Sequence, residues 1–302
     1  MFSKELYEDI KVSNDFNFFY QRKGLLMCYQ TEKAGAEEWN TGQRAIKEGL
    51  KVENLTKEQV LTIEPNAGLN VNGAVYYHSD AHMTPNEFMS QMKVYLQNNG
   101  VSILNNEEVL EITVSNHKIS EVKTNNLQIK SDEFVIASGA WSQKLMKKLN
   151  TKIPVQAGKG YRINVAQETG IKIPSILIEA KVAVTPMNGF TRFAGTMEVD
   201  KINNKVNPIR VNAIAKAAEK YYNGLKILQP DIDNAACGLR PCSPDGLPYI
   251  GRLSKIHNVT VATGHAMMGW SLGPATGKLV SEIISDKRTS LNLHPFFVER
   301  FS

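Results

Sequence analysis

Three short stretches carry the residue types that do chemistry. The first is "CGLRPCSPDGLPYIG", Cys237 to Gly251, where Arg240 stands between a leucine and a proline in a weakly charged segment. Pro241, Pro244 and Pro248 stiffen the backbone around it. A rigidly held guanidinium suits a carboxylate, because its planar fork meets two oxygens at once. A structural ion pair with an aspartate such as Asp245 explains the same residue equally well. The second is "ATGHAMMGWSLGPATGKLVSEII", Ala262 to Ile284, a glycine-punctuated loop between the apolar run Val259–Ala262 and an amphipathic helix. Strand, glycine loop and helix N-terminus together form a place where backbone amides approach a negative or polarised group. Glycines used only for tight helix packing are the plainer reading. The third is "FVIASGAWSQKL", in which Phe134–Ala137, apolar enough for a central strand, runs into the small residues Ser138, Gly139 and Ala140. Small side chains leave amides open to a ligand, although a plain strand-to-helix turn has the same composition.

The elements that must position these stretches are also legible. Thr84, Pro85 and Glu87 read as N-cap, first helical residue and closing member of a capping box, with Phe88, Met92, Tyr95 and Leu96 at helical spacing and Gly100 as the stop. Thr56 and Gln59 repeat the box before a shorter helix. Asn207–Pro208 opens a helix with Ile214, Ala218, Tyr221 and Leu225 on one face. A last helix is expected after Pro274, with Leu279, Val280, Ile283 and Ile284 inward. "EEVLEITVSNHKISEVKTNNLQIKSDEFVIASG" reads as a β-meander turning at Asn116–His117 and Asn125–Asn126. "KVAVTPMNGFTRFAGTMEVD" reads as a hairpin across Asn188–Gly189. Segregated and alternating runs of helix and strand fit two interleaved domains.

Composition narrows the function classes. The 302 residues suffice for one large or two ordinary domains. The net charge of +5 is dispersed along the chain, which argues against a nucleic-acid footprint. No apolar run approaches the roughly 20 residues of a membrane span, and "MFSKELYEDIKVSNDF" is too polar for a signal peptide. Cys28, Cys237 and Cys242 form neither a disulfide framework nor a metal-binding spacing, so a reduced, cytoplasmic setting and no metal are expected.

The three stretches in this order resemble the D-amino-acid oxidase (DAO) family of FAD-dependent oxidoreductases, and most of all its bacterial D-amino-acid dehydrogenase branch. "GLRPCSPDGLPYIG" and "ATGHAMMGWSLGPATGKLV" are specific to it, and the likeness covers nearly the whole chain. "RKGLLMCYQTEKAGAEEW", "NLTKEQVLTIEPN" and "GAVYYHSDAHMTPNEFMSQM" resemble earlier family segments. The resemblance implies a mixed α/β (α+β) fold in which an FAD-binding Rossmann-like domain of the glutathione-reductase type is interleaved with an antiparallel-sheet substrate domain. Substrate-domain segments would be 1–83 and 151–236, and FAD-domain segments 84–150 and 237–302. It implies non-covalent FAD and oxidation of the Cα–N bond of a D-amino acid by hydride transfer to the flavin. A quinone or oxygen would accept the electrons, and peripheral membrane contact is left open.

Carried over by position, Arg240 would hold the substrate carboxylate. Val109, Ala137, Ser138, Gly139 and Trp141 would line the FAD pocket. Gly264, His265, Ala266, Met267, Met268, Gly269, Trp270 and Ser271 would pass along the isoalloxazine. His78, Asp80, His82, Tyr161 and Met268 are candidates for the substrate pocket, although satisfied structural histidines and a core tyrosine are the plainer readings. Met268 and Ala183 replace an arginine and a tyrosine of glycine oxidase, which favours a different, bulkier or less polar, substrate. Cys237 and Cys242 are expected to be ordinary buried cysteines. The sequence contains no G-x-G-x-x-G, the family's opening motif for the FAD pyrophosphate. The expectation is therefore an N-terminally truncated chain that alone holds FAD weakly and lacks activity. The alternatives are an enzyme for a cyclic or N-methyl imino acid (hydroxyproline, sarcosine or glycine type) and a non-catalytic fragment.

Overall fold

The hairpin across Asn188–Gly189 forms as its residues dictate, because Gly189 takes φ +79°, a left-handed conformation that costs glycine little. It joins two strands of the main sheet in a computed structural model that describes residues 1–13, 15–199 and 201–301. With elements numbered in chain order, this sheet contains β2 (Leu25–Tyr29), β3 (Val52–Thr56), β4 (Gly73–Tyr77), β10 (Gln156–Val165), β11 (Ser175–Leu177), β12 (Val182–Met187), β13 (Phe190–Val199) and β14 (Ala236–Cys242). The order is β14-β10-β13-β12-β11-β2-β4-β3, antiparallel except for β11 beside β2. Two distant stretches of chain thus build one sheet.

One face of that sheet is core. Side chains alternate along a strand, and Tyr161, Ile163, Val165, Val182, Val184 and Phe193 all turn to the same side. Helix α6 (Pro208–Tyr221) covers them with Val211, Ile214, Ala215, Ala218 and Tyr221. Full burial of each large aliphatic contributes roughly 1.5–3 kcal/mol. Leu225, expected on this helix, lies beyond its end and packs on the same core from the following turn. The α2 helix (Glu32–Lys47) packs on β2, β3 and β4, and α3 (Lys57–Ile63) follows β3.

A three-stranded sheet, β15 (Tyr249–Arg252), β16 (Val259–Thr263) and β9 (Phe134–Ile136), holds the second core. The apolar run at Phe134 does not form a central strand: β9 is an edge among the described residues, pairing in parallel with β16, and Val135 is 44% exposed. The expected meander is β6 (Val109–Ser115), β7 (Lys118–Thr124) and β8 (Gln128–Ile129), after which the chain leaves for β9 in the other sheet. Its first turn has Asn116 and His117 both at positive φ, the I′ geometry that matches strand twist.

A third cluster is aromatic. Helices α1 (Phe2–Val12) and α4 (Pro85–Asn98) bring Tyr7, Phe16, Phe18 and Phe88 together beside the short pair β1 (Tyr20–Gln21) and β5 (His82–Met83). The capping box expected at the start of α4 does not form. Thr84 Oγ1 instead accepts from the Asn188 amide at 2.9 Å, and Glu87 accepts from the Phe19 amide at 2.7 Å. Thr56 and Gln59 do form theirs.

The last helix also departs from expectation. Helix α8 (Gly269–Ile284) begins five residues before Pro274 and runs through it. Proline lacks the N–H that would bond the carbonyl four residues back. That carbonyl, on Trp270, accepts from the Tyr7 hydroxyl at 2.8 Å instead. Its inward face is Ala275, Thr276, Leu279 and Glu282, with Val280, Ile283 and Ile284 half-buried.

Candidate active site

Strand β14 joins the eight-stranded sheet to the glycine loop. Cys242 at its end pairs with His265, and β14 packs against the short 3-10 turns Gly139–Trp141 and Ala266–Met268. Arg240 lies two residues before that junction. Its register partner on β10 is Gly158, on the face opposite Tyr161 and the core. The guanidinium lies over Gly160, where a Cβ would sit 1.9 Å from Nη1. Gly160 is thus the floor that lets the arginine lie along the sheet.

Asp245 is not the partner of Arg240. It forms a bidentate pair with Arg300, at 2.8 and 2.9 Å, which holds its carboxyl down at about 2. Arg240 has no carboxylate partner among the described residues; its one hydrogen bond is long, Nη1 to the Thr196 carbonyl at 3.4 Å. That carbonyl is delivered by a bulge. Between the pairs Lys159↔Glu198 and Tyr161↔Gly195, β13 sets two residues, Thr196 and Met197, against Gly160 alone, with Thr196 at φ +58°. Burial lowers the Arg240 pKa from its ordinary value, and arginine stays charged nonetheless. A half-buried, unpaired fixed cation is an anion site in search of its anion.

Among the substrate-pocket candidates, Tyr161 is 2% exposed on the core face, and its hydroxyl donates to Glu198 at 3.1 Å. It sits across the sheet from the Arg240 guanidinium. His78 follows β4 near the far edge, 3.2 Å from Glu53 and against the Tyr76 ring, six strands away from β14. His82, Asp80 and Ser271 line a separate cavity of about 310 Å³ with Tyr7, Tyr20 and Trp270. Burial pushes His82 from its ordinary 6.5 down to about 4, helped by Lys23, while a hydrogen bond to Pro186 opposes the shift. Its Nδ1 is buried without a partner among the described residues. Met268 is 53% exposed on the glycine-loop turn.

The cofactor-binding candidates divide between two places. Val109, Ser138 and Trp141 line one cavity of about 560 Å³, together with Glu107, Glu108, Lys144, Leu145 and Lys148, which the sequence did not single out. Gly139 has positive φ and open space at its Cβ position. Ser138, Ser142, Thr263 and the Gly139 carbonyl form a hydrogen-bonded chain that locks this turn to β16. Ala137 connects β9 to it.

The second place is the glycine loop. Gly264 at φ +81° packs so closely on Tyr249 that a Cβ would lie 2.7 Å from the ring, so only glycine fits. Ala266 also has positive φ, a strained conformation for a non-glycine residue. His265 is tied to Thr276 at 2.9 Å and its pKa is lowered by burial. Trp270 turns its ring into the aromatic cluster, stacked 6.2 Å from Tyr7, with Nε1 buried and without a partner among the described residues. The start of α8 has no side-chain cap, so the amides of Gly269, Trp270 and Ser271 are unspent donors at the positive end of the helix.

These residues fit a flavin: uncapped amides at the start of α8, and a cavity lined by Val109, Ser138 and Trp141. Cys237 and Cys242 are half-buried rather than buried, and all three cysteines are free thiols. No group of metal-ligating side chains gathers, and no helix is long and apolar enough to cross a membrane, among the described residues.

The model of the family DAO, FAD dependent oxidoreductase, matches residues 2–283. The D-amino acid dehydrogenase of Helicobacter pylori is 28% identical over 295 residues, covering 96% of this chain and 69% of the relative. That of Neisseria gonorrhoeae strain FA 1090 is 27% identical over 311 residues, covering 99% and 72%. Among solved structures, glycine oxidase from Geobacillus kaustophilus superposes with a TM-score of 0.86 at 24% identity over 99% of this chain and 80% of that one. L-proline dehydrogenase from P. horikoshii gives 0.85 at 23% identity over 99% and 81%. The chain belongs to the DAO family of FAD-dependent oxidoreductases.

Proposed function

We propose that this protein oxidises the Cα–N bond of a D-amino acid, with Arg240 holding the carboxylate and the start of α8 facing the flavin. The observation that carries this reading is Arg240 itself: a half-buried cation without a carboxylate partner among the described residues, two residues from the junction of β14 with the glycine loop. FAD, when bound, supplies the hydride acceptor. The protein's part is to bind, aim and neutralise charge.

Anchoring both carboxylate oxygens at Arg240 fixes the α-carbon and restricts rotation about one bond. That pre-organisation substitutes for entropy otherwise lost during the reaction. Gly160 beneath the guanidinium leaves it room to lie along the sheet. Ala183 pairs with Ala194 across β12 and β13, so the sheet is lined there with small side chains and leaves room for a substrate side chain. The α8 amides offer donors to developing negative charge. Among the described residues the Arg240 cavity is lined by no carboxylate or histidine, and the substrate amine reacts in its neutral form, its proton going to water.

The test is anaerobic mixing of the flavin-loaded protein with a panel of D- and L-amino acids, glycine, sarcosine and hydroxyproline, following flavin absorbance. Bleaching by D-amino acids in preference to their L-enantiomers supports the reading. Bleaching by sarcosine or hydroxyproline alone replaces it with imino-acid oxidation.

A further inference from the structure

The same face of the sheet carries two more arginines. Alternation along β10 places Gly158, Gly160 and Arg162 on one side, and Arg162 pairs across β14 with Ala236. Arg192 on β13 lies opposite Asn164 of β10. Arg162, Arg192 and Arg240 line one cavity of about 300 Å³, whose remaining walls include Ala194, Ala236 and Gly238. No aspartate or glutamate pairs with any of the three among the described residues. Arg192 donates from Nε to Asn164 at 3.0 Å and lies over the Phe190 ring, and the Arg162 side chain has no hydrogen-bond partner among the described residues. Burial and the neighbouring Arg162 both lower the Arg192 pKa, so the two cations repel each other in a half-buried place.

One carboxylate needs one arginine. Three unpaired guanidinium groups around a single cavity are a costly arrangement unless an anion completes it. The charges are also ordered along the sheet. The Arg240 fork lies over Gly160, and Arg162 is two residues further along the same strand, about 7 Å by strand rise. A short dicarboxylic molecule spans that interval once the flexible arginine side chains swing toward it.

We propose that the substrate is an acidic amino acid, whose α-carboxylate meets Arg240 and whose side-chain carboxylate meets Arg162 and Arg192. This rests on the carboxylate-clamp reading of Arg240 and adds the chemistry of the substrate side chain. Small residues on the cavity walls leave space for that side chain, and the paired cations reject a basic one.

The experiment is calorimetric titration of the 302-residue chain with D-glutamate and with D-glutamine, which differ in one charge at the same size. The readout is the ratio of the two affinities at low and at high salt. We expect D-glutamate to bind at least tenfold more tightly at low salt, with the ratio shrinking as salt screens the charges. Arg162→Gln, which breaks no hydrogen bond, and Arg192→Lys, which keeps the charge but loses the fork, each reduce the ratio severalfold. Arg210→Gln, on the core face, leaves it unchanged. A ratio near one in the unsubstituted chain, or a ratio unmoved by Arg162→Gln, overturns the acidic-substrate inference while leaving the clamp in place. The clamp fails separately if Arg240→Gln leaves both affinities unaltered.

Discussion

The two faces of the eight-stranded sheet treat charge in opposite ways. On the core face, Glu198 is fully partnered: Arg210 donates to it at 2.7 Å, Tyr161 at 3.1 Å and Asn207 at 3.3 Å, with Lys159 at 3.8 Å. Burial pushes the Glu198 pKa up, but these hydrogen bonds outweigh it and hold the carboxyl below its ordinary value. Lys159, 3% exposed, also donates to Asn203 at 2.6 Å. On the other face, a few ångströms away through the same strands, three arginines have no carboxylate partner among the described residues. Partnered charge is architecture. Unpartnered charge, held in place at a cost, is the side of the molecule that waits for a ligand.

If that contrast is sound, substitutions on the open face should change binding and those on the core face should change stability. The largest effect is expected from Arg240→Gln in the flavin-loaded protein. KM for the amino acid should rise by a factor equivalent to roughly 2–4 kcal/mol, the worth of a desolvated charged hydrogen bond. The melting temperature should hold or rise, since an unpaired buried cation has been removed. A fall in stability without a change in KM would make Arg240 structural.

His82 extends the contrast to a neutral group. Its folded-state pKa is about 4 against an ordinary 6.5. The unfolded chain therefore binds more protons between these values, and stability is intact above about pH 6.5 and falls as pH drops towards 4. The loss at pH 5 is about 1–2 kcal/mol. His82→Phe should flatten that part of a denaturation-against-pH curve; an unchanged slope would assign the acid sensitivity to other groups.

Gly160→Ala is a smaller and cleaner probe. The added methyl would lie within 2.2 Å of the Arg240 guanidinium carbon, so the arginine must leave its floor. Substrate affinity should drop about tenfold, roughly 1.4 kcal/mol, while thermal stability stays close to that of the parent. Smallest of all is Tyr161→Phe. It deletes one hydrogen bond to Glu198, for a loss of about 1 kcal/mol in urea denaturation, with KM unaffected. A raised KM would bring Tyr161 back among substrate-contacting residues.

Local rules read from sequence held where nothing distant competed. The Thr56–Gln59 capping box forms because both side chains are free to turn back on their own helix. The identical pattern at Thr84–Glu87 fails because the amides of Asn188 and Phe19 arrive from other strands and take those oxygens. Pro274 misplaced the helix start for a similar reason: the donor that excuses it, Tyr7, is 267 residues away in sequence, and its aim at Trp270 is invisible locally. Arg240 was legible from its proline frame and from the family resemblance. Arg162 and Arg192 were not, because β-strand arginines with no motif look like solvated surface. Only the register of β10, β13 and β14 brings them beside Arg240. The bulge at Thr196, which turns a carbonyl towards that arginine, left a faint signal in the glycine of "FAGTMEV", and its meaning depends on pairing.

The comparison of the faces is tested most directly by following arginine side-chain Nε–H resonances during titration of the protein with glutarate, a dicarboxylate that cannot be oxidised at a Cα–N bond. The account predicts that the signals of Arg240, Arg162 and Arg192 move together and saturate, while Arg210, already bound to Glu198, stays still. Movement of Arg210, or an Arg240 signal that does not respond, would contradict it.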